Sequence, residues 1–239
     1  TLLTTSPFFF YRITRMWACR IDELKERFDT FFSSEIVPNE PTFFKEVNAL
    51  RQAGKLWTEP TVSSRLREKA KSLGLWNLFL PSFSGVSTSE YTFFAERMGW
   101  VPWLADVFNC DAPDSGNMET LHHFGSDEQR TKWLVPLMEG DIRSAFCMTE
   151  PDTASSDATN ISLSAQETEV DGVTHWKLRG SKWWATGAGH PRCEILFVLA
   201  KTSDEGPKHR RHTLILVPRN TKGVVLRRAL DVFGDDDAP

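Results

Sequence analysis

The stretch SAFCMTEPDTASSDATNIS, residues 144–162, crowds Thr149, Glu150, Ser155, Ser156 and Asp157 around Pro151. Pro151 restrains the backbone of Glu150. The Ser, Thr, Asp and Asn side chains that follow bond nearby backbone groups. Such a loop exposes N–H groups and hydroxyls together. Proteins hold a pyrophosphate, or the polar edge of a heterocycle, in this way without a lysine. The same residues also make an Asx/Ser turn capping a strand, so two readings stay open. A second stretch, GSKWWATGAGHP at 180–191, sets Trp183 and Trp184 ahead of Thr186, Gly187 and Gly189. Read as a strand leading into a glycine turn, it sends the two tryptophans to opposite faces. Trp184 and Thr186 then share a face, where they can stack on a planar ring and hydrogen-bond its edge. Two tryptophans on a β-sandwich are the alternative.

Other chemistry-bearing groups are less organised. The loop NCDAPDSGNM at 109–118 could wall a substrate pocket through Asn109, Asp114 and Asn117, or simply cap a helix. His122 and His123 are adjacent on a helix and cannot both face one site, so a structural role is expected. KHRRH at 208–212 reads as a solvated loop, or as a phosphate contact. No G-x-G-x-x-G, P-loop, H-E-x-x-H or G-x-S-x-G motif occurs. The four cysteines, Cys19, Cys110, Cys147 and Cys193, are scattered without a C-x-x-C, as are six histidines. No metal site is expected. Reduced thiols and an intracellular setting are expected, with mitochondrial, peroxisomal and cytoplasmic locations all open.

These groups must be held by a chain of 239 residues, enough for one large domain or two ordinary ones. Hydrophobic residues make up 40% and charged residues 25%, which suits a packed core. A net charge of −4 gives no reason to expect nucleic acid or an anionic membrane as partner. No apolar run reaches the roughly 20 residues of a membrane helix. The first twenty residues carry Arg12, Arg15 and Arg20 without an acid, as organelle transit segments do. An unstructured extension over 1–19, or a true start at Met16, is the other reading.

From about 20 to 142 the apolar period is helical. Ile21, Leu24, Phe28, Phe31 and Phe32 share a face of a helix that Pro38 should stop. Further helices are expected to end at Gly54 and Gly74, to start at Ser87 or Thr88 with Glu90, and to run from Ser126 to Gly140. After 143 the period becomes two. NISLSAQ, THWKLRGSKWWA, EILFVLAKT, HTLILVP and GVVLRRAL read as closely spaced strands without helices between them. An α+β chain is expected. An all-α domain over 20–142 precedes an antiparallel β-barrel or sandwich over 143–239, with an end that lacks a closing element.

Taken in order, the segments resemble the acyl-CoA dehydrogenase family over residues 20–239. HHFGSDEQRTKWLVPLMEGD resembles its G-[ST]-x-E-Q-[KR] helix. FCMTEPDTASSDATNI resembles its T-E-P flavin loop, and LRGSKWWATGAGHPRCEILFVLAKT its G-x-K-x-W-x-T strand pair. The ASSDATN wording is most similar to the subgroup whose animal members can carry a kinase-like domain. The resemblance implies a helical domain, a β-barrel middle domain and a C-terminal four-helix bundle, the last not in this sequence. It also implies FAD, a fatty acyl-CoA substrate oxidised to the 2-enoyl-CoA, an acceptor such as an electron-transfer flavoprotein, and a homodimer or homotetramer. By position, Phe146, Met148 and Thr149 would border the flavin, and Ser156, with Ser155 nearby, would meet the pyrophosphate. Trp184 would cover one flavin face and Thr186 would reach N5. The family's catalytic carboxylate belongs to the bundle, so no catalytic residue is expected here. The acidic run Asp235–Asp237 reads as a solvated turn. Gly187 stands where many members have Asn. A non-catalytic acyl-CoA- or protein-binding short form is the alternative.

Overall fold

The computed structural model describes residues 21–55 and 57–230. The expectations for the first nineteen residues and for the acidic run at 235–237 lie outside the described residues. By contacts the chain divides into two compact units. One runs through Gly54 and resumes from Glu59 to Asp111; the other takes Lys55–Thr58 and continues from Ala112.

The first unit is helical. Helix α1 (Ile21–Phe31) buries Leu24, Phe28 and Phe31, the residues whose spacing marked its inner face. Pro38 does not stop it. The chain widens into a π turn over Phe32–Ile36 and continues as α2 (Val37–Gln52), with Pro38 in its first turn. Gly54 takes a left-handed φ of +69° just past the end of α2. Helix α3 (Thr61–Ser72) buries Val62, Leu66 and Ala70, and Gly74 follows it at φ +71°. Helix α4 (Thr88–Met98) opens on a capping box between Ser87 and Glu90. These elements close over a phenylalanine cluster in which Phe28 meets Phe94 edge-on at 5.4 Å and Phe108 at 4.8 Å.

The second unit begins with helix α5 (Asp114–Phe124) and a helical run from Asp127 to Glu139, with a π turn over Arg130–Leu134. Ser126 and Gln129 form a capping box at its start, and Gly140 closes it at φ +73°. Five strands follow: β1 (Arg143–Cys147), β2 (Ser164–Val170), β3 (Val173–Arg179), β4 (Cys193–Lys201) and β5 (His212–Pro218). They form one sheet in which β4 is central and β5 pairs antiparallel with it along its length. Strands β2 and β3 make a hairpin whose turn, Asp171–Gly172, has both φ angles positive.

The sheet is mixed, not antiparallel throughout as expected. β1 lies parallel to β4, with Ala145 opposite Leu196 and Cys147 opposite Val198. The 45 residues between these strands allow the return crossover that a parallel pair requires. Of the expected strands, THWKLRGSKWWA is strand only as far as Arg179, and GVVLRRAL is not a strand. Residues 180–185 are irregular, as are 224–230, where Val225 is 75% exposed. Ala145, Cys147, Leu163, Ala165, Leu196 and Val198 form the core of this unit.

Candidate functional site

β1 delivers the 148–157 loop. Ala145 and Cys147 point into the core, so alternation places Phe146 on the other face, where it is 37% exposed. Beyond the strand the chain is held by Glu150, only 3% exposed. Its carboxylate accepts from the Ser162 N–H at 2.8 Å, the Ser162 hydroxyl at 2.6 Å and the Leu163 N–H at 2.7 Å. Lys182 Nζ donates to it at 2.9 Å and Thr153 Oγ1 at 3.2 Å. Burial alone would raise the Glu150 carboxyl. The bonds from Ser162, Leu163 and Lys182 outweigh it and hold the group at about 2. Lys182, whose side chain is 8% exposed, is pushed below the usual lysine value by burial, with Glu150 opposing that shift.

Lys182 makes a second bond, to the Met148 carbonyl at 2.8 Å. One residue on, the Trp183 N–H donates to the Thr149 carbonyl at 3.0 Å. These bonds lay 182–186 alongside 148–150, so Met148 and Thr149 come together with the Trp184–Thr186 segment. The tryptophan pair does not alternate across a strand. Trp184 takes a left-handed φ of +55°, and the two indoles sit 5.9 Å apart, tilted by 54°. A non-glycine residue there costs about 1–2 kcal/mol, a strain that clusters at functional sites. Trp184 is 41% exposed. The buried Trp183 Nε1 has no acceptor among the described residues. Gly189 answers why glycines follow: a Cβ there would lie 2.4 Å from the Trp57 ring.

The expected site residues thus separate. Among the described residues no hydrogen bond occupies the side-chain hydroxyl of Thr149, Ser156 or Thr186, or the N–H of Thr149, Trp184 or Thr186. Ser155 is buried and spent locally: its hydroxyl oxygen accepts from the Glu150 N–H at 2.9 Å and its O–H donates to the Thr153 carbonyl at 3.0 Å. Asp114 and Asn117 meet instead at the start of β1. Asp114 accepts from the Ser144 N–H at 2.7 Å and pairs with Arg143 at 2.6 Å, while Asn117 donates to Ser144 Oγ at 2.9 Å. Both are 2% exposed and fasten α5 to the strand. Asn109, in the helical unit, is 7% exposed at φ +53° and donates to Asn77 at 2.7 Å.

Sequence reasoning missed the Glu150–Lys182 pair. Its signal was present, because a carboxylate and an amine flanked by apolar and small residues must pair if both are buried. It also left unassembled a cleft of about 310 Å³ lined by Thr159, Ser162, Lys201, Lys208 and Arg211, which joins the hydroxyl-rich loop to the KHRRH segment. Among the described residues no cluster of His, Cys, Asp and Glu could hold a metal ion, and no helix is long and apolar enough to cross a membrane. Cys110, Cys147 and Cys193 are free and buried, and burial pushes their thiols up to about 11, 11 and 12.

A helical unit leading into a mixed-sheet unit is the architecture of a known class of oxidoreductase. The chain matches the acyl-CoA dehydrogenase N-terminal domain over residues 22–141 and the acyl-CoA dehydrogenase middle domain over 145–239. It is 52% identical over 182 residues to human acyl-CoA dehydrogenase family member 11, covering 76% of this chain and 23% of that protein. A solved structure from Mycobacterium abscessus, described as an acyl-CoA dehydrogenase, is 44% identical with a TM-score of 0.81; the match covers 91% of this chain and 55% of that one. A glutaryl-CoA dehydrogenase from Mycobacterium smegmatis in complex with FADH2 shares the fold, with a TM-score of 0.61 at 21% identity over 92% of this chain and 50% of that one. The chain belongs to the acyl-CoA dehydrogenase family. It spans about a quarter of the human relative and about half of the solved structures.

Proposed function

We propose that this chain supplies the flavin-binding part of an FAD-dependent acyl-CoA dehydrogenase, which oxidises a fatty acyl-CoA to its 2-enoyl-CoA. The observation that carries the reading is the juxtaposition of 148–150 with 182–186, which leaves unused donors beside an exposed indole. The residues fit the group. Trp184 offers a flat apolar face, and the Thr149 and Thr186 hydroxyls and amides offer donors to a heterocycle's polar edge. Ser156, exposed with its hydroxyl unused, suits a pyrophosphate oxygen. Phe146 and Met148 would complete the apolar border. Bound there, FAD would supply the hydride acceptor.

The remaining roles belong to the protein. Trp184 excludes water from one side of the ring. Thr149 and Thr186 fix its orientation, which sets which substrate carbon faces it. The cleft lined by Lys201, Lys208 and Arg211 carries the charge and donors that the phosphates of a coenzyme A ester need. No described residue is assigned as the base for the α-proton; we propose that the family's C-terminal bundle provides it. An electron-transfer flavoprotein as acceptor, and homo-oligomerisation, belong to the same proposal. The glutaryl-CoA dehydrogenase in complex with FADH2 supports FAD as the cofactor. The test is visible absorbance of the purified chain mixed with FAD and passed through gel filtration. A flavin band that co-elutes, and is lost in Trp184→Ala, is expected. Folded protein that retains no flavin refutes the reading.

A further inference from the structure

We propose that the buried Lys182–Glu150 pair is a positioning device for the flavin edge: it clasps the two site segments together, and through the Met148 carbonyl it sets the strength of the Thr149 amide as a donor. The inference rests on the flavin reading above and goes beyond it to residues that would not touch the cofactor.

Lys182 Nζ donates at 2.8 Å to the carbonyl of the 148–149 peptide and at 2.9 Å to Glu150. The N–H of that same peptide belongs to Thr149, and among the described residues nothing accepts from it. A cation on the carbonyl end of a peptide draws electron density toward itself and makes the N–H end a stronger donor, because bonds in a chain polarise one another. At a site shielded from water the effect is larger than in solution. The side chains of Lys182 and Glu150 are 8% and 4% exposed, so water does not compete for either bond. Glu150 has the further task of gathering Ser162, Leu163 and Thr153 onto the same carboxylate, which anchors the far end of the loop. One pair therefore ties together the start of the loop, its end and the Trp184 segment. It places a positive charge one peptide away from the open donor and a negative charge further back.

The charge order makes the test directional. A cation near the flavin edge favours the reduced, electron-rich form, so neutralising Lys182 should make the midpoint potential more negative. Neutralising Glu150 should make it more positive. A pair that acted only as a structural brace would weaken flavin retention without moving the potential in opposite senses.

The experiment compares the whole chain with Lys182→Met, Lys182→Arg and Glu150→Gln. Free FAD affinity is read by fluorescence quenching, and the bound-flavin potential by equilibration with a redox dye. Lys182→Met is expected to weaken FAD at least tenfold and shift the potential negative. Lys182→Arg is expected to restore most of both, and Glu150→Gln to shift the potential positive. Hydrogen exchange without flavin gives an independent readout. In Lys182→Met the two amides of these segments that are bonded in the wild type, Glu150 and Trp183, should exchange at least tenfold faster while those of β4 keep their protection. If Lys182→Met does not fold, Lys182→Arg carries the test: a potential unchanged from the wild type supports the inference, and one shifted as negative as free flavin overturns it. Wild-type chain that retains no FAD removes the flavin reading, and this inference with it. Wild-type chain that retains FAD, with Lys182→Met equal to it in affinity and potential, overturns this inference alone.

Discussion

Replacing Glu150 by glutamine should cost the sheet unit about 3 kcal/mol at neutral pH, and the cost should vanish in acid. The structure sets the size. The carboxyl is carried from 4.5 down to about 2, against its burial, by its bonds from Ser162, Leu163 and Lys182. At about 1.4 kcal/mol per pH unit, the ionised form is favoured over a neutral one by roughly 3 kcal/mol. A neutral amide must also present N–H groups where backbone N–H groups and an ammonium already point, so the loss is not recovered by the substitute. The sign follows from the depressed value. The contribution is fully present above about 4.5 and is lost as the pH falls through about 2. Urea unfolding of the wild type and of Glu150→Gln, followed from pH 7 to pH 2.5, reads the difference directly. The two curves should lie about 3 kcal/mol apart at pH 7, equivalent to a Tm loss of roughly 6–12 °C for a chain of this length. They should draw together as the pH falls from about 4.5 towards 2. A gap under about 0.5 kcal/mol at pH 7, or one that stays constant down to pH 2.5, refutes the reasoning that the carboxylate is held by these bonds.

Three further outcomes follow from the geometry. Trp184→Ala should change the thermal midpoint by little, since the side chain is 41% exposed, yet reduce FAD affinity at least tenfold by fluorescence titration. Asp114→Ala should destabilise the sheet unit by about 3–5 kcal/mol in urea unfolding, because it leaves Arg143, 15% exposed, without its carboxylate. Gly189→Ala should cost about 1–3 kcal/mol by the same assay and alter Trp57 fluorescence, because the new methyl would sit 2.4 Å from the indole.

The helical half was the more legible in sequence, for physical reasons. Helix ends are written locally: Ser87 with Glu90 and Ser126 with Gln129 form the capping boxes, and Gly54, Gly74 and Gly140 take the left-handed turns. The exception, Pro38, failed because a π turn over Phe32–Ile36 absorbs it, and nothing within one turn of sequence announces that. Strand direction was not legible. β1 offers only five residues, and its parallel partner lies 45 residues further on, so no local period records the pairing. The tryptophan segment misled for a related reason. Its residues have strand propensity, but Trp183 is held by the Thr149 carbonyl and Lys182 by Met148 and Glu150, contacts made across 30 residues or more. Within the site, residue type alone could not separate the unused hydroxyls of Thr149, Ser156 and Thr186 from the spent one of Ser155. The same held for Asn109, Asp114 and Asn117, whose amides and carboxylate close on Asn77, Ser144 and Arg143.

The buried thiols make the chain its own clock for local opening. Cys110 lies in the helical unit, and Cys147 and Cys193 lie on β1 and β4 of the sheet unit. Burial and raised pKa values keep all three protonated and out of reach while the fold is closed, so an alkylating reagent modifies them only during an opening event. With Cys19 replaced by serine, mass-resolved labelling of the native chain would time the two units separately in one tube. Adding FAD should lengthen the sheet unit's interval and leave that of Cys110 as the internal standard.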